Sequence, residues 1–274
     1  MPFKIAGVQM RCTPDKDRNL KKAMDLGDLA AEQNARIICF QELFHTHWFP
    51  RNHDSAAEEL AEAIPGPATE RLSEAARRWN AAVIAPLYER DEKGRGFNSA
   101  AVLDARGELR GVYRKVHVPH FPLWEERTYF EPGDRGFPVF DVGIARVGVL
   151  ICWDVFFPEG ARALALGGAQ ILFAPTAAAF ATQQRWETVL RSHAITNGVY
   201  VLRVNRVGSE AEHDFYGSSF CVDPEGELVG EPSGMTDGVL LAEVDLDRIE
   251  QARKEWTYLK DRRPETYGPL VQPV

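Results

Sequence analysis

Cysteine is scarce in this 274-residue chain, and the four present, Cys12, Cys39, Cys152 and Cys221, lie far apart. That excludes a disulfide framework and leaves no paired spacing for a metal site. Positive charge is short as well. The 32 Lys and Arg against 40 Asp and Glu leave a formal charge of −8, spread along the chain, so nothing draws the protein to nucleic acid or to an acidic membrane. No uncharged apolar run approaches the length that spans a bilayer. The N-terminus Met1-Pro-Phe-Lys-Ile-Ala-Gly7 lacks a basic region followed by an apolar one, so no signal peptide is visible. The histidines, His45, His47, His53, His117, His120, His193 and His213, match no familiar zinc-ligand spacing. Repeats, low-complexity tracts and linkers are missing too. A cytoplasmic globular protein with a single α/β domain over residues 1–274 is the simplest expectation.

What is present is an alternation of strand-like and helix-like segments. Phe3–Met10, Arg36–Gln41, Ala81–Tyr88, Phe97–Leu103, Val112–Pro119, Pro138–Phe140, Val147–Ile151, Ile171–Phe173 and Val199–Val204 read as strands. Asp17–Gln33, Glu159–Leu166 and Trp186–Thr196 follow helical spacing. Ser218–Val222, Leu228–Gly230 and Val239–Val244 close the series as an antiparallel-looking run turned by Asp223-Pro-Glu-Gly226. Strands with helices between them must be covered on both faces, which predicts a layered α/β arrangement.

Three residues in this frame carry chemistry. Cys152 stands where the apolar run Val147–Ile151 ends and Pro158 opens a helix. A sharp turn there presents a nucleophile and leaves the next backbone N–H groups ready for an oxyanion. Glu42 follows the strand Arg36–Gln41, where a carboxylate is costly unless it faces a cleft or a partner. Lys115 sits in the middle of the apolar stretch Val112–Pro119. Each alone has a plain structural explanation: a small buried thiol, a solvated Glu, a strand-edge Lys that guards against aggregation. Together they supply a base, a cation and a thiol.

Phe40-Gln-Glu-Leu-Phe44, Tyr113-Arg-Lys-Val-His117 and Gly148-Val-Leu-Ile-Cys-Trp-Asp154 with Phe157-Pro-Glu159 resemble the nitrilase superfamily of carbon–nitrogen hydrolases, whose family triad is Glu, Lys and Cys. The likeness runs from Lys4-Ile-Ala-Gly-Val-Gln9 to Asp245. It implies a four-layer α-β-β-α sandwich with Glu42, Lys115 and Cys152 as the catalytic set. Glu126, in Glu125-Glu-Arg-Thr-Tyr129, resembles the second glutamate that the family places beside the triad. Glu42 would take the thiol proton, Lys115 with the backbone N–H of Trp153 would hold the oxyanion, and a thioester on Cys152 would be hydrolysed by water. No metal or organic cofactor is required. An idle relative kept as a scaffold is the reading from another class, which the complete set opposes. Among enzymes, a nitrilase that makes the acid directly remains the alternative, since amide and nitrile give the same thioester.

Gly133–Phe140, Phe157–Arg162, Leu172–Thr176, Arg185-Trp-Glu187 and Val204-Asn-Arg-Val-Gly208 resemble the N-carbamoyl branch, N-carbamoylputrescine amidases in particular. Yet the loop 177–182 offers no acidic group for a diamine's distal cation. Arg203 also stands where those relatives usually carry a small residue, which leaves open whether it selects an acidic substrate. Phe44, Trp48, Trp153 and Phe156 are candidates for apolar pocket walls and equally for core, with Trp153 and Asp154, beside the nucleophile, the best placed. The aromatic, proline-rich tail 255–274 carries Trp256, Tyr258 and Leu259. Relatives use this segment across a dimer interface, so a homodimer or larger is expected; packing on its own subunit suits the composition as well. The expected partner is a small amide, carbamoyl compound or nitrile.

Overall fold

Apolar residues on both faces of consecutive strands organise the molecule. In the computed structural model, which describes residues 1–179 and 182–272, β1 (Phe3–Gln9), β2 (Ala35–Phe40), β3 (Ala82–Arg90), β4 (Gly96–Leu103) and β5 (Leu109–Arg114) lie in one six-stranded sheet. β13 (Gly238–Val244) returns antiparallel to β1, giving the order β13-β1-β2-β3-β4-β5. Side chains alternate in direction with period two. Ile37, Cys39, Ile84 and Val102 point to an inner core, while Ile38, Phe40, Val83 and Leu103 point outward. Helices α1 (Lys16–Glu32) and α2 (Pro67–Trp79) cover the outer face with Leu20, Ala23, Leu72, Ala76 and Trp79.

The second sheet, ordered β12-β9-β8-β7-β6, holds β6 (Phe140–Asp141), β7 (Arg146–Val149), β8 (Ile171–Thr176), β9 (Tyr200–Asn205) and β12 (Phe220–Val222). Its inner side chains, including Val147, Val149, Ile171, Phe173 and Leu202, meet those of the first sheet. Helices α3 (Pro158–Leu166) and α4 (Gln183–Asn197) close it from outside through Leu164, Trp186, Leu190 and Ala194. A small hairpin, β10 (Val207–Glu210) with β11 (His213–Tyr216), and helix α5 (Leu246–Glu255) complete the described residues. The result is the expected four-layer α-β-β-α sandwich.

Several local expectations shift. The strand expected over Val112–Pro119 ends at Arg114, so Lys115 follows the strand instead of sitting within it. Its N–H still donates to Asn98 O at 2.8 Å, but its own carbonyl accepts from Gly133 at 2.8 Å, and His117 N–H turns to the Asp154 carboxylate at 2.9 Å. Leu228–Gly230 is no strand; Leu228 makes only an isolated bridge to Val222. Helices α2 and α5 were not expected. Pro67 after Gly66, and Asp245 as an N-cap accepting from Asp247 N–H, are the start signals that would have found them. The expectations on the loop 177–182 and on the end of the tail extend to Phe180, Ala181, Pro273 and Val274, which lie outside the described residues.

β1 and β9 touch across the inner core because β1 carries Gly7. A Cβ there would lie 2.8 Å from Val204 Cγ2 and 3.2 Å from Leu202 Cδ2. Both side chains are fully buried and cannot move aside. Gly7→Ala is therefore expected to lower stability by about 1–3 kcal/mol, read as a lower midpoint in urea unfolding at unchanged slope.

Candidate active site

Chain segments that leave strand ends converge on one point. Glu42 follows β2, Lys115 follows β5, and Cys152 comes just after β7. Strand ends are where open α/β sheets bind ligands, because side chains there face a crevice instead of the core. Two of these segments are held in left-handed backbone, with φ +49° at Cys152 and +50° at Leu43. Such angles cost about 1–3 kcal/mol in a non-glycine residue and need outside support. Asp154 supports the first turn: its carboxylate accepts from Ile151 N–H at 3.0 Å, Tyr113 O–H at 2.6 Å and His117 N–H at 2.9 Å. Arg206 supports the second. Its guanidinium donates to the carbonyls of Glu42 at 3.1 Å, Leu43 at 2.8 Å and Thr46 at 3.1 Å, and pairs with Glu210 at 2.7 Å. The other oxygen of Glu210 accepts from Trp48 N–H at 2.6 Å, so the loop is tied at both ends.

Lys115 is buried, and its ammonium is shared by two carboxylates. Nζ donates to Glu42 Oε1 at 2.9 Å and to Glu126 at 2.9 and 2.6 Å. Asn98 Nδ2 adds a bond to Glu42 Oε1 at 2.8 Å, whereas Glu42 Oε2 is buried without a hydrogen-bond partner. Burial alone would push Lys115 down, but the fields of Glu126 and Glu42 outweigh it and hold the amine above its ordinary value. Burial and the Glu42 charge push Glu126 well above the usual carboxylate range, against the pull of Lys115. The Cys152 thiol also rises well above its ordinary value, through burial and then Glu42, with Lys115 opposing. With Glu126 ionised, one ammonium and two carboxylates give the cluster +1 − 2 = −1 before any thiolate forms; with Glu126 protonated it is neutral. The Lys115 charge favours the thiolate, but burial and the carboxylates outweigh it, so the resting sulfur keeps its proton.

Cys152 opens on a cavity of about 500 Å³. Phe121, Trp124, Trp153, Phe156 and Trp186 form aromatic walls, with Ala177–Ala179 opposite; Glu126 and Arg185 are the charged lining residues. Trp153 and Phe156 line it. Asp154 lies beneath the turn, and Phe44 and Trp48 lie elsewhere. Phe44 stacks on Phe40 at 4.6 Å in the outer core, and Trp48 packs against Phe215 and His213. Both face away because Arg206 fixes the loop that bears them. Arg203 is fully buried behind Trp186, its guanidinium 4.9 Å from that ring. Sequence reasoning missed Asn98, Tyr113, Arg206 and Trp124. A lone Asn in the apolar run Phe97–Leu103 was the available signal for the first. The histidines scatter: His117 on Asp154, His193 on Val155 O, and His213 against Trp124. Among the described residues no three His, Cys, Asp or Glu side chains gather as a metal site would require.

The charge balance predicts how Cys152 titrates. Removing a nearby negative charge makes its thiolate easier to form, so Glu126→Gln moves the alkylation-against-pH curve of Cys152 to lower pH. Lys115→Ala removes a positive charge and moves it to higher pH. Peptide mass spectrometry after timed iodoacetamide labelling checks both; coincident curves for the variants and wild type would contradict the electrostatics.

The sequence profile of carbon–nitrogen hydrolases matches residues 4–254. An N-carbamoylputrescine amidase of Solanum lycopersicum is 38% identical over 283 aligned residues, covering 97% of this chain and 94% of that protein. The crystal structure of a carbon–nitrogen hydrolase from Helicobacter pylori G27 superposes with a TM-score of 0.95 at 32% identity, covering 99% of each chain. A variant amidase from Nesterenkonia sp. AN1 carries the acetamide moiety of fluoroacetamide added covalently at its active-site cysteine. It superposes with a TM-score of 0.85 at 29% identity over 98% of this chain and 97% of that one. Fold, strand-end cysteine and family profile agree: the chain belongs to the carbon–nitrogen hydrolase family, enzymes that hydrolyse C–N bonds.

Proposed function

We propose that the protein hydrolyses the non-peptide C–N bond of a small linear amide or N-carbamoyl compound through a thioester on Cys152, releasing ammonia. The observation that carries this reading is the divided carboxylate of Glu42. One oxygen is held by Lys115 and Asn98, and the other is buried and unpartnered, next to a thiol that opens on the cavity. That free oxygen is a proton acceptor in a site where the sulfur rests as thiol. As Sγ bonds to the carbonyl carbon, its proton passes to Glu42, and the oxyanion is held by Lys115 Nζ and the Trp153 N–H. Collapse expels the amine, which takes the proton from Glu42, and leaves the acyl group on sulfur. Water then attacks the acyl carbon, gives its proton to Glu42, and the sulfur leaves and is reprotonated. Glu126 fixes the Lys115 ammonium throughout. The Nesterenkonia adduct supports a nucleophilic cysteine in this fold. Four thiols without a disulfide fit a reducing cytoplasm.

Ammonia release over a panel of ureido compounds, aliphatic amides and nitriles tests the reading. Cys152→Ala, Glu42→Gln and Lys115→Ala are each expected to lose at least about a thousandfold in kcat/KM while keeping wild-type circular dichroism. More than about one per cent residual activity in Cys152→Ala would remove the thioester. Turnover confined to nitriles would replace the amide assignment by a nitrilase.

We also propose a homodimer that uses the tail and the outer face of α3 and α4. Leu166, Ile195, Trp256, Tyr258, Leu270 and Val271 are all exposed there, and the tail's Tyr267, Leu270 and Val271 run beside Arg162 and His193 of the same chain. Deletion after Arg253 is expected to lower the mass measured by light scattering. A full-length monomer at micromolar concentration would rule the dimer out.

A further inference from the structure

The charged groups around the cavity are lopsided once the Lys115 cluster is set aside. Glu126 is occupied by Lys115, so it offers no charge to a substrate's far end. The other charged lining residue is Arg185, exposed in the first turn of α4, and among the described residues its guanidinium has no hydrogen bond or ion pair. Behind the same wall lies a second cation. Arg203 is fully buried, its Nη2 donates to Tyr216 Oη at 2.9 Å, and its Nε has no partner. No carboxylate pairs with it among the described residues; instead it lies near the rings of Trp186, Tyr216 and Phe220, at 4.9, 5.2 and 5.9 Å. A buried guanidinium without a counter-ion is expensive, and the anion that relieves it has to arrive from outside. Trp186 links this cation to the cavity: its ring lines the cavity, and the Arg203 guanidinium, which does not line it, is 4.9 Å from that ring. Cys152 and Arg185 line one cavity whose walls are largely aromatic, which suits a short methylene chain.

We propose that the cavity selects a substrate whose group distal to the scissile C–N bond is a carboxylate, paired with Arg185 and favoured by the field of Arg203. A distal ammonium would meet two cations and no available acid. A distal methyl would fill the aromatic section and leave Arg185 in water. The inference rests on the hydrolase reading for its reaction but not for its recognition, so binding and turnover can be tested apart.

Three compounds of matched length separate the possibilities: 4-ureidobutyrate, 4-ureidobutylamine and butylurea, which end in carboxylate, ammonium and methyl. Calorimetry on the full-length Cys152→Ala protein reads recognition without chemistry. 4-Ureidobutyrate is expected to bind at least about tenfold more tightly than 4-ureidobutylamine, with a preference that shrinks as salt is raised. In the Cys152→Ala, Arg185→Gln double variant, the ratio of the carboxylate's affinity to that of butylurea is expected to fall about tenfold. Equal binding of the three, tighter binding of the ammonium compound, absence of binding by all, or an unchanged ratio in the Arg185 variant would overturn the inference. Selective carboxylate binding with no ammonia release from wild type would leave it standing and overturn the hydrolase reading instead.

Discussion

One buried ammonium sets the terms for the rest of the molecule. Lys115 lies between Glu42 and Glu126 with no access to water, and an unpaired charge in that position would cost many kilocalories. Three charges are therefore tolerated only if they stay within hydrogen-bonding distance. That requirement pins the ends of β2 and β5 and the segment around Glu126 to one place. The six-stranded sheet meets it because β3 and β4 stand between β2 and β5 and because Asn98, on β4, bridges the two carboxylates. The chain leaves β5 one residue before Lys115 for the same reason: within the ladder, the amine would enter the apolar space between the sheets.

The strained backbone at Cys152 and Leu43 depends on a second set of buried charges. Asp154 and Arg206 touch no cavity wall, yet they take up the N–H and carbonyl groups that the two turns expose. A buried carboxylate under one turn and a buried guanidinium under the other suit the groups presented, since donors need an acceptor and carbonyls need a donor. Tyr113 O–H and the two His117 contacts on Asp154 also tie the cysteine turn in the second sheet to the end of β5 in the first. The sulfur and the ammonium are thereby positioned by one carboxylate that neither of them touches.

This division explains what could be read before the fold was known. Strands buried on both faces appear as continuous apolar runs, so β1 to β4, β7, β8 and β9 stand out along the chain, and the layered architecture with them. Glu42, Lys115 and Cys152 stand out because each interrupts or ends such a run. Phe44 and Trp48 were misleading because an aromatic residue beside a site looks the same whether it faces the cavity or the core. Bonds from Arg206, 160 or more residues away, help to hold the course of that loop. Helix α2 was legible and was missed: Ala68, Leu72, Ala75, Ala76 and Trp79 recur at helical spacing on its buried face, after Gly66-Pro67. Arg185 stood out only within the Arg185-Trp-Glu187 likeness to the N-carbamoyl branch, and its lack of a partner among the described residues is a property of three dimensions alone.

The sign of the cluster gives the site its chemical character. A cysteine beside a lone cation rests as thiolate and reacts with many electrophiles. Here, with Glu126 ionised, two carboxylates outnumber the ammonium, and a resting thiolate would bring the local charge to −1 − 1 = −2 in a medium that screens poorly. On the proposed mechanism the sulfur would keep its proton until a carbonyl carbon is close enough for attack and proton transfer to coincide. In the proposed reaction charge would then move from sulfur through the forming bond to an oxygen beside Lys115, and the cation that balances carboxylates in the resting protein would stabilise the transition state. Such a site gains little from generic electrophiles and most from a substrate that delivers its oxygen to Lys115. The distal contact proposed at Arg185 would then matter for positioning as much as for affinity, since it would fix how far the reacting carbonyl reaches toward the sulfur.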